Sequence, residues 1–348
     1  MINKVPDSLI DLCTELGSDI NLVQGAGGNF SYKQDNDFWI KASGTWLSEA
    51  KKRDIFVQLG LKEVIAAYKK GSNDFTDCIV STNGLRPSVE TSLHAIMPYK
   101  VVVHVHSVNS LSWVARKDGA SLVADRLEGL DWAWIDYIRP GLPLTQLIES
   151  VQAGQPKMNV LMMASHGLVV CADTVEEVKA LLVDVEKRLT PPVCTCDKVN
   201  AEKVKELSKL IPPGSRLPLN NQVHILGQNS QAVDLIREGA LYPDHVVFLG
   251  DSITVLQPSQ FDQLEEALKP KPHCVLVEGM GVVLDKNSKD SEEAMLECFA
   301  LLAPTLPPRS ELRYFTAEQL GELLNWDAEK LRQAADKMRQ MDQEANKN

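Results

Sequence analysis

The chain has 348 residues, 44% of them hydrophobic and 24% charged, which is the make-up of a soluble globular protein with room for two domains. A formal net charge of −11 excludes nucleic acid and anionic membranes as general partners, and no stretch approaches the ~20 continuous apolar residues of a membrane span. The start, Met1-Ile2-Asn3-Lys4, lacks a basic-then-apolar signal pattern, and seven scattered cysteines fit free thiols in a reducing cytoplasm better than a disulfide framework.

Residues 6–17 predict a first helix, with Leu9, Leu12, Cys13 and Leu16 at helical spacing. A glycine-dense loop follows, Gln24-Gly25-Ala26-Gly27-Gly28-Asn29. Phe30-Ser31-Tyr32 and Phe38-Trp39-Ile40-Lys41-Ala42 read as a hairpin turning at Gln34-Asp35-Asn36-Asp37. Residues 60–69 predict a helix. Another is expected from Pro87-Ser88, with Ser88 as N-cap, Glu90 in the first turn and Leu93, Ile96 and Met97 facing the core. The run Val101-Val102-Val103 then leads into His104-Val105-His106. Residues 118–126 predict a helix and 140–143 a loop. A second apolar run, Asn159 to Ser165, ends at His166-Gly167. A capping box at Thr174-Val175-Glu176-Glu177 opens a helix running to about Arg188.

Residues 191–220 read as a linker, leaving a first domain over 1–190 and a C-terminal α/β domain over 221–348. That second domain is carried by the apolar runs Gln222–Leu226, Asp244–Leu249 and His273–Val277. It carries signs of a degenerate copy of the first. Gly281 and the Val282-Val283-Leu284 run, followed by a capping-box-like helix start at Asp290, parallel Gly167, Leu168-Val169-Val170 and Thr174. Met280 then stands where the first copy has His166. In the linker, Cys194-Thr195-Cys196 is a close cysteine pair, but without a matching second pair it is a poor zinc site.

A strand turns alternate side chains to the same face, so His104 and His106 point together. The pair alone fits a structural role as well as a metal. With His166 at a glycine turn and Glu90 upstream, it becomes a set sufficient for a catalytic zinc with an exchangeable position. Isolated histidines at 94, 224, 245 and 273 fit structural roles better. His94, four residues after Glu90, is expected on the same helix face, orienting the carboxylate. The loop at Gly25–Asn29 is not a dinucleotide fingerprint, yet its amides can hold an anion. Lys41, Ser43 and Gly44 at a strand end, and Ser88 at a helix start, add a cation, hydroxyls and N–H groups. Together they outline a phosphorylated substrate.

These motifs, in this order, resemble the class II aldolase/adducin family. Gly28-Asn29-Phe30-Ser31 is similar to its Gly-Asn-x-Ser element, and Ile40-Lys41-Ala42-Ser43-Gly44 to its strand ending in Ser/Thr-Gly. Pro87-Ser88-Val89-Glu90 with His94 looks like its Ser-x-Glu-x-x-x-His helix start. His104-Val105-His106-Ser107 looks like its His-x-His strand, and His166-Gly167 like its last ligand turn. The pattern is closest to the aldolase portion of the long fused rhamnulose-phosphate aldolase/dehydrogenases. The chain departs from the short aldolases in a shorter Glu90-to-His104 segment and in Val89, where a hydroxyl residue is common.

The resemblance implies a three-layer α/β/α domain around a mainly antiparallel sheet, followed by a smaller α/β domain. It implies His104, His106 and His166 as ligands of one zinc ion, and Glu90 as acid/base. Asn29, Ser43, Gly44 and Ser88 would surround a substrate phosphate with Lys41 nearby, and Tyr137 is the candidate for a proton-donating tyrosine. The implied reaction is zinc-dependent cleavage of a ketose phosphate to dihydroxyacetone phosphate and an aldehyde, through a metal-stabilised enediolate. A sugar-phosphate 4-epimerase or keto-acid decarboxylase would use the same scaffold. A non-catalytic adducin-like binding protein is the reading from another class. Short members form fourfold rings, so a homo-oligomer is expected, and a degenerate copy would let two chains build a pseudo-fourfold ring.

Overall fold

A computed structural model describes residues 4–81, 83–192 and 198–345. The Cys194-Thr195-Cys196 pair lies outside the described residues. Two compact units divide the chain: residues 1–114, 118–190 and 330–348 form the first, and residues 115–117 and 191–329 the second.

The first unit holds strands β1 (Asn29–Gln34), β2 (Asp37–Lys41), β3 (Phe56–Gly60), β4 (Ile79–Ser81), β5 (Val101–Val105), β6 (Trp132–Ile135), β7 (Val160–Met163) and β8 (Gly167–Ala172). They make one sheet in the order β4-β3-β2-β1-β5-β8-β7-β6. Every neighbouring pair is antiparallel except β6 with β7. The accompanying helices are α1 (Asp7–Gly17), α2 (Leu61–Lys69), α3 (Thr91–Ile96), α4 (Val108–Val114), α5 (Gly119–Ala124), α6 (Leu142–Gly154) and α7 (Val175–Arg188).

The core follows from strand alternation. Val102, Leu161, Met163, Val169 and Cys171 face Leu93 of α3, Met97 just after it, and Leu144 and Ile148 of α6. On the same side, Phe38, Ile40, Val57 and Leu59 pack against Val64 and Tyr68 of α2. Val101, Val103 and Val105 take the opposite parity, towards the face where α7 packs on β5 and β8 and α4 on β7 and β8. Helices on both faces leave β5 buried throughout, so its sequence is a continuous apolar run rather than an alternating one. His104 shares the parity of Val102 and therefore turns towards α3.

Two expected boundaries move. α3 starts at Thr91, with Glu90 itself at the N-cap position in a non-helical conformation (φ −100, ψ 17). Ser88 instead accepts the Glu90 N–H at 3.2 Å, so it organises the turn before the helix. The expected loop at 140–143 is already helix from Leu142, because Pro143 sits in the first turn, where its missing N–H costs nothing.

The second unit contains α8 (Ala201–Ser208), β9 (Ser215–Arg216), α9 (Ile225–Gln228), α10 (Ser230–Glu238), α11 (Pro243–Leu249), β10 (Thr254–Leu256), α12 (Leu264–Ala267), β11 (Cys274–Val277), β12 (Gly281–Asp285), α13 (Asp290–Leu302) and α14 (Ala317–Leu324). Its sheet runs β10-β11-β12-β9. A last helix, α15 (Asp327–Ala345), contributes its residues from 330 onward to the first unit.

Of the three apolar runs named above for this region, only the third is a strand. Gln222–Leu226 lies in a 3₁₀ turn entering α9, and Asp244–Leu249 is helical, opened by Pro243 and stopped by Gly250 at φ 78. A short run buried on every side carries no period to distinguish helix from strand.

The small sheet repeats the strand directions at one end of the large one. β10 is parallel to β11, and β11 and β9 are both antiparallel to β12. β6, β7, β8 and β5 are related in the same way. The connecting turns match in detail. His166 N–H donates to Met163 O and Met280 N–H to Val277 O, both at 3.0 Å. Ser165 and Gly279 both take positive φ, 48 and 74.

Candidate metal centre

Three strand ends converge at one end of the large sheet. β5 carries His104 and leads directly into His106, while the tight β7–β8 turn carries His166. Side-chain ligand atoms of His104, His106 and His166, all buried, lie within 4.8 Å of one another. The Nε2 atoms of His104 and His106 are 2.9 Å apart. His104 Nδ1 lies 3.0 Å from the Leu168 carbonyl. A carbonyl only accepts, so Nδ1 carries the hydrogen and Nε2 faces the cluster, where it offers a lone pair whenever the ring is uncharged.

Glu90 completes the constellation. Its Oε2 is 3.4 Å from His104 Nε2 and its Oε1 is 3.4 Å from His166 Nε2. Asn29, paired across the sheet with His104, donates its side-chain amide to Glu90 Oε2 at 2.7 Å. Burial by itself raises a carboxyl, but His104 and His166, the Asn29 amide and His106 outweigh it and hold Glu90 down at about 2. The group is therefore a buried carboxylate facing three imidazoles. Three buried nitrogen donors beside a carboxylate fit a divalent transition metal.

Two glycines let the strands close this tightly. A Cβ on Gly28, which sits at φ +62, would stand 2.7 Å from the His104 carbonyl oxygen. One on Gly167 would meet Val105 O at 2.6 Å, His106 Cδ2 at 2.9 Å and His104 Cε1 at 3.3 Å. The shortest contact at each glycine is against backbone, which cannot swing away as a side chain can.

The helix that Glu90 precedes, α3, is anchored from strand β1. Lys33 is 7% exposed, and its Nζ donates to the His94 carbonyl at 2.7 Å and to that of Met97. It thereby satisfies the C-terminal end of α3. Burial lowers its pKa to about 8. His94 does not orient Glu90 through its ring: its Nδ1 pairs with Ser31 Oγ at 2.8 Å. The helix-face spacing fails here because Glu90 is outside the helix, although its carbonyl does accept the His94 N–H. Burial pushes His94 down to about 3, so the ring is neutral. Ser31 stands in the sequence only as the end of the Gly-Asn-x-Ser element, and Lys33 carries no signal there, because a lysine on a strand normally means a solvated face.

The remaining expected residues take distinct places. Lys41, 2% exposed, donates to Ala26 O at 3.1 Å and so ties β2 to the glycine-rich loop. Ser43 N–H donates to Arg86 O at 2.9 Å and Ala42 bridges Pro87, setting the Ser43-Gly44 turn (Gly44 φ 75) against the Pro87-Ser88 segment. Tyr137 lies two residues beyond β6. Ile135, the last residue of β6, pairs with Met163 in parallel, which puts Tyr137 at the same end of the sheet as the His166 turn.

The sequence model of the class II aldolase and adducin N-terminal domain matches residues 7–190. An uncharacterized oxidoreductase of Bacillus subtilis, YuxG, is 31% identical over 189 residues, a stretch covering 50% of this chain and 27% of that protein. The chain thus spans well under a third of that curated relative. The N-terminal class II aldolase domain of a conserved Thermoplasma acidophilum protein is 25% identical, with a TM-score of 0.47 over 54% of this chain and 93% of that one. L-fuculose-1-phosphate aldolase from Thermus thermophilus is 14% identical, with a TM-score of 0.36 over 52% of this chain and 92% of that one.

Proposed function

The chain belongs to the class II aldolase and adducin family, and from that premise we propose a zinc-dependent carbon–carbon lyase that cleaves a ketose phosphate into dihydroxyacetone phosphate and an aldehyde. The observation that carries this reading is the convergence of His104, His106 and His166 with Glu90 at 3.4 Å from two of them. A binding domain has no use for a buried carboxylate held among three imidazoles, and such a group is costly to bury without a task.

His104, His106 and His166 would hold the ion, which when bound supplies Lewis-acid stabilisation of the charge developing on the ketone oxygen. Glu90 moves the proton. As the bond between the hydroxyl-bearing carbon and its neighbour breaks, the hydroxyl gives up its proton to the Glu90 carboxylate, the electron pair of the broken bond passes towards the ketone, and Glu90 delivers that proton to the carbon left behind. Asn29 fixes one oxygen of Glu90 and leaves the other for this transfer. Ser43, Gly44 and Ser88 bind the phosphate, Lys41 holds the glycine loop beside them, and Tyr137 hydrogen-bonds the hydroxyl oxygen that becomes the aldehyde carbonyl, donating the proton back to it in the synthetic direction. The second unit is a copy without ligands, with Met280 in the place of His166, so that two chains present four related units.

Metal analysis of protein purified without chelator or histidine tag, followed by a retro-aldol screen of sugar phosphates, tests the reading. About one zinc per chain and release of dihydroxyacetone phosphate are expected. Absence of metal after incubation with zinc would leave the adducin-like binding reading in its place. Metal without cleavage would turn the search to epimerisation and decarboxylation.

A further inference from the structure

The C-terminal helix α15 returns 290 residues along the chain to touch the first unit beside the Ser43-Gly44 turn. Arg339 Nη1 is 3.1 Å from Glu49 Oε1, and its guanidinium lies 3.9 Å from the centre of the Trp46 ring. Arg339 is 4% exposed. A guanidinium is buried this far only when paired, and stacking on an aromatic face adds to the pairing. Glu49 is gripped a second time, by Arg53 at 2.7 Å from its other oxygen.

The gripped segment is one connected piece of backbone. Thr45 Oγ1 donates to Ala42 O at 2.8 Å, and Glu49 N–H donates to Trp46 O at 3.1 Å. On the α1 side, Leu47 and Ser48 press on Gly17, where a Cβ would stand 2.4 Å from Ser48 N. Ser43 reaches across to Arg86, whose neighbours Pro87 and Ser88 lead into Glu90. A shift at Trp46 or Glu49 is therefore passed to Ser43 and Gly44, because a chain of short turns has no slack residue to absorb it.

We propose that Arg339 is a positioning residue, clamping Trp46 and Glu49 so that the Ser43-Gly44 turn is preformed for the substrate's phosphate. The proposal rests on reading that turn as the anion site. It gives α15 a task in the first unit that a chain ending at residue 190 would leave undone.

The test compares full-length wild type, Arg339→Met, the double variant Arg339→Met/Glu49→Gln and the control Met338→Ser, which alters an exposed side chain of the same helix. Inorganic phosphate is the probe. Amide exchange over residues 42–50 is followed with and without it, and its affinity is measured by calorimetry. In wild type and Met338→Ser, phosphate should slow exchange over 42–50. In both Arg339 variants that protection should shrink and phosphate affinity should fall roughly tenfold, the size typical when a supporting partner of a binding group is lost, with metal content unchanged. The double variant also removes the Glu49 charge, which Arg339→Met leaves paired with Arg53 alone, and unchanged cooperative melting of both variants separates the loss from a folding failure.

Wild-type protection that persists in both variants overturns the clamp and leaves the anion site standing. Faster exchange at unaltered phosphate affinity also overturns it, since Arg339 would then be a packing contact only. No phosphate protection in wild type overturns the anion reading, and the clamp with it.

Discussion

Substituting Gly167 by alanine adds one methyl group and removes no ligand or charge. It tests directly whether the three histidines are held by backbone closeness. The new Cβ would stand 2.6 Å from Val105 O and 2.9 Å from His106 Cδ2. Contacts this short against a carbonyl force the β5 and β8 strands apart, and the registry Val105↔Leu168 lies at that point. Overpacking of this kind costs about 1–3 kcal/mol. If the strain falls on the assembled imidazole cluster, it converts to roughly a 5- to 150-fold loss of metal affinity at about 1.4 kcal/mol per tenfold. Zinc affinity measured against a competing chelator, alongside thermal melting, reads both quantities. Gly281→Ala is the matched control. It sits at the equivalent turn, and its Cβ would meet His224 Nδ1 at 2.4 Å, so it should lower the melting temperature without touching zinc affinity. Wild-type zinc affinity in Gly167→Ala, with the fold intact, would refute the reasoning.

His106→Ala should lose the metal while unfolding stays cooperative; full zinc occupancy in that variant would overturn the ligand assignment. Glu90→Gln should keep the metal and lose turnover, and an active variant would remove Glu90 from the proton transfer. His245 is packed between Tyr242 and Phe299, and burial depresses its pKa from 6.5 to about 4. The unfolded chain therefore takes up the proton first. Stability is complete above about pH 6.5 and is lost as pH falls towards 4, by about 3 kcal/mol for this group. Urea midpoints at about pH 7.5, 6 and 5, which bracket the unfolded histidine value, should show the decline, and His245→Phe should make it shallower, leaving the share of His94 and His224, which burial also depresses; an equally steep decline in the variant would locate the effect elsewhere. Sedimentation at micromolar concentration should find a dimer or larger, and a monomer would count against the pairing of degenerate copies.

The chemistry of the centre was legible in sequence because it is written in local patterns. The apolar run before His104, the two-residue spacing to His106 and the turn at His166-Gly167 each depend on a few neighbouring residues and on strand periodicity. The capping box at Thr174 was equally local, and α7 begins there and ends at Arg188. What failed locally failed for stated reasons. Asp244–Leu249 is buried on all sides and has no readable period, and the Glu90–His94 spacing assumed a helix capped at Ser88, whereas the cap is Glu90 itself.

Sequence by itself therefore pointed to the histidines and the carboxylate that meet in the centre, since residue type and short-range spacing mark groups of that chemistry. Only the tertiary structure decided how they meet. Asn29 reaches Glu90 across 61 positions, Lys33 holds α3 from another strand, and Arg339 returns to Glu49 across 290. Such contacts are made by sheet order and helix docking, whose closure over long loops depends on the packing of the whole core rather than on any pattern along the chain.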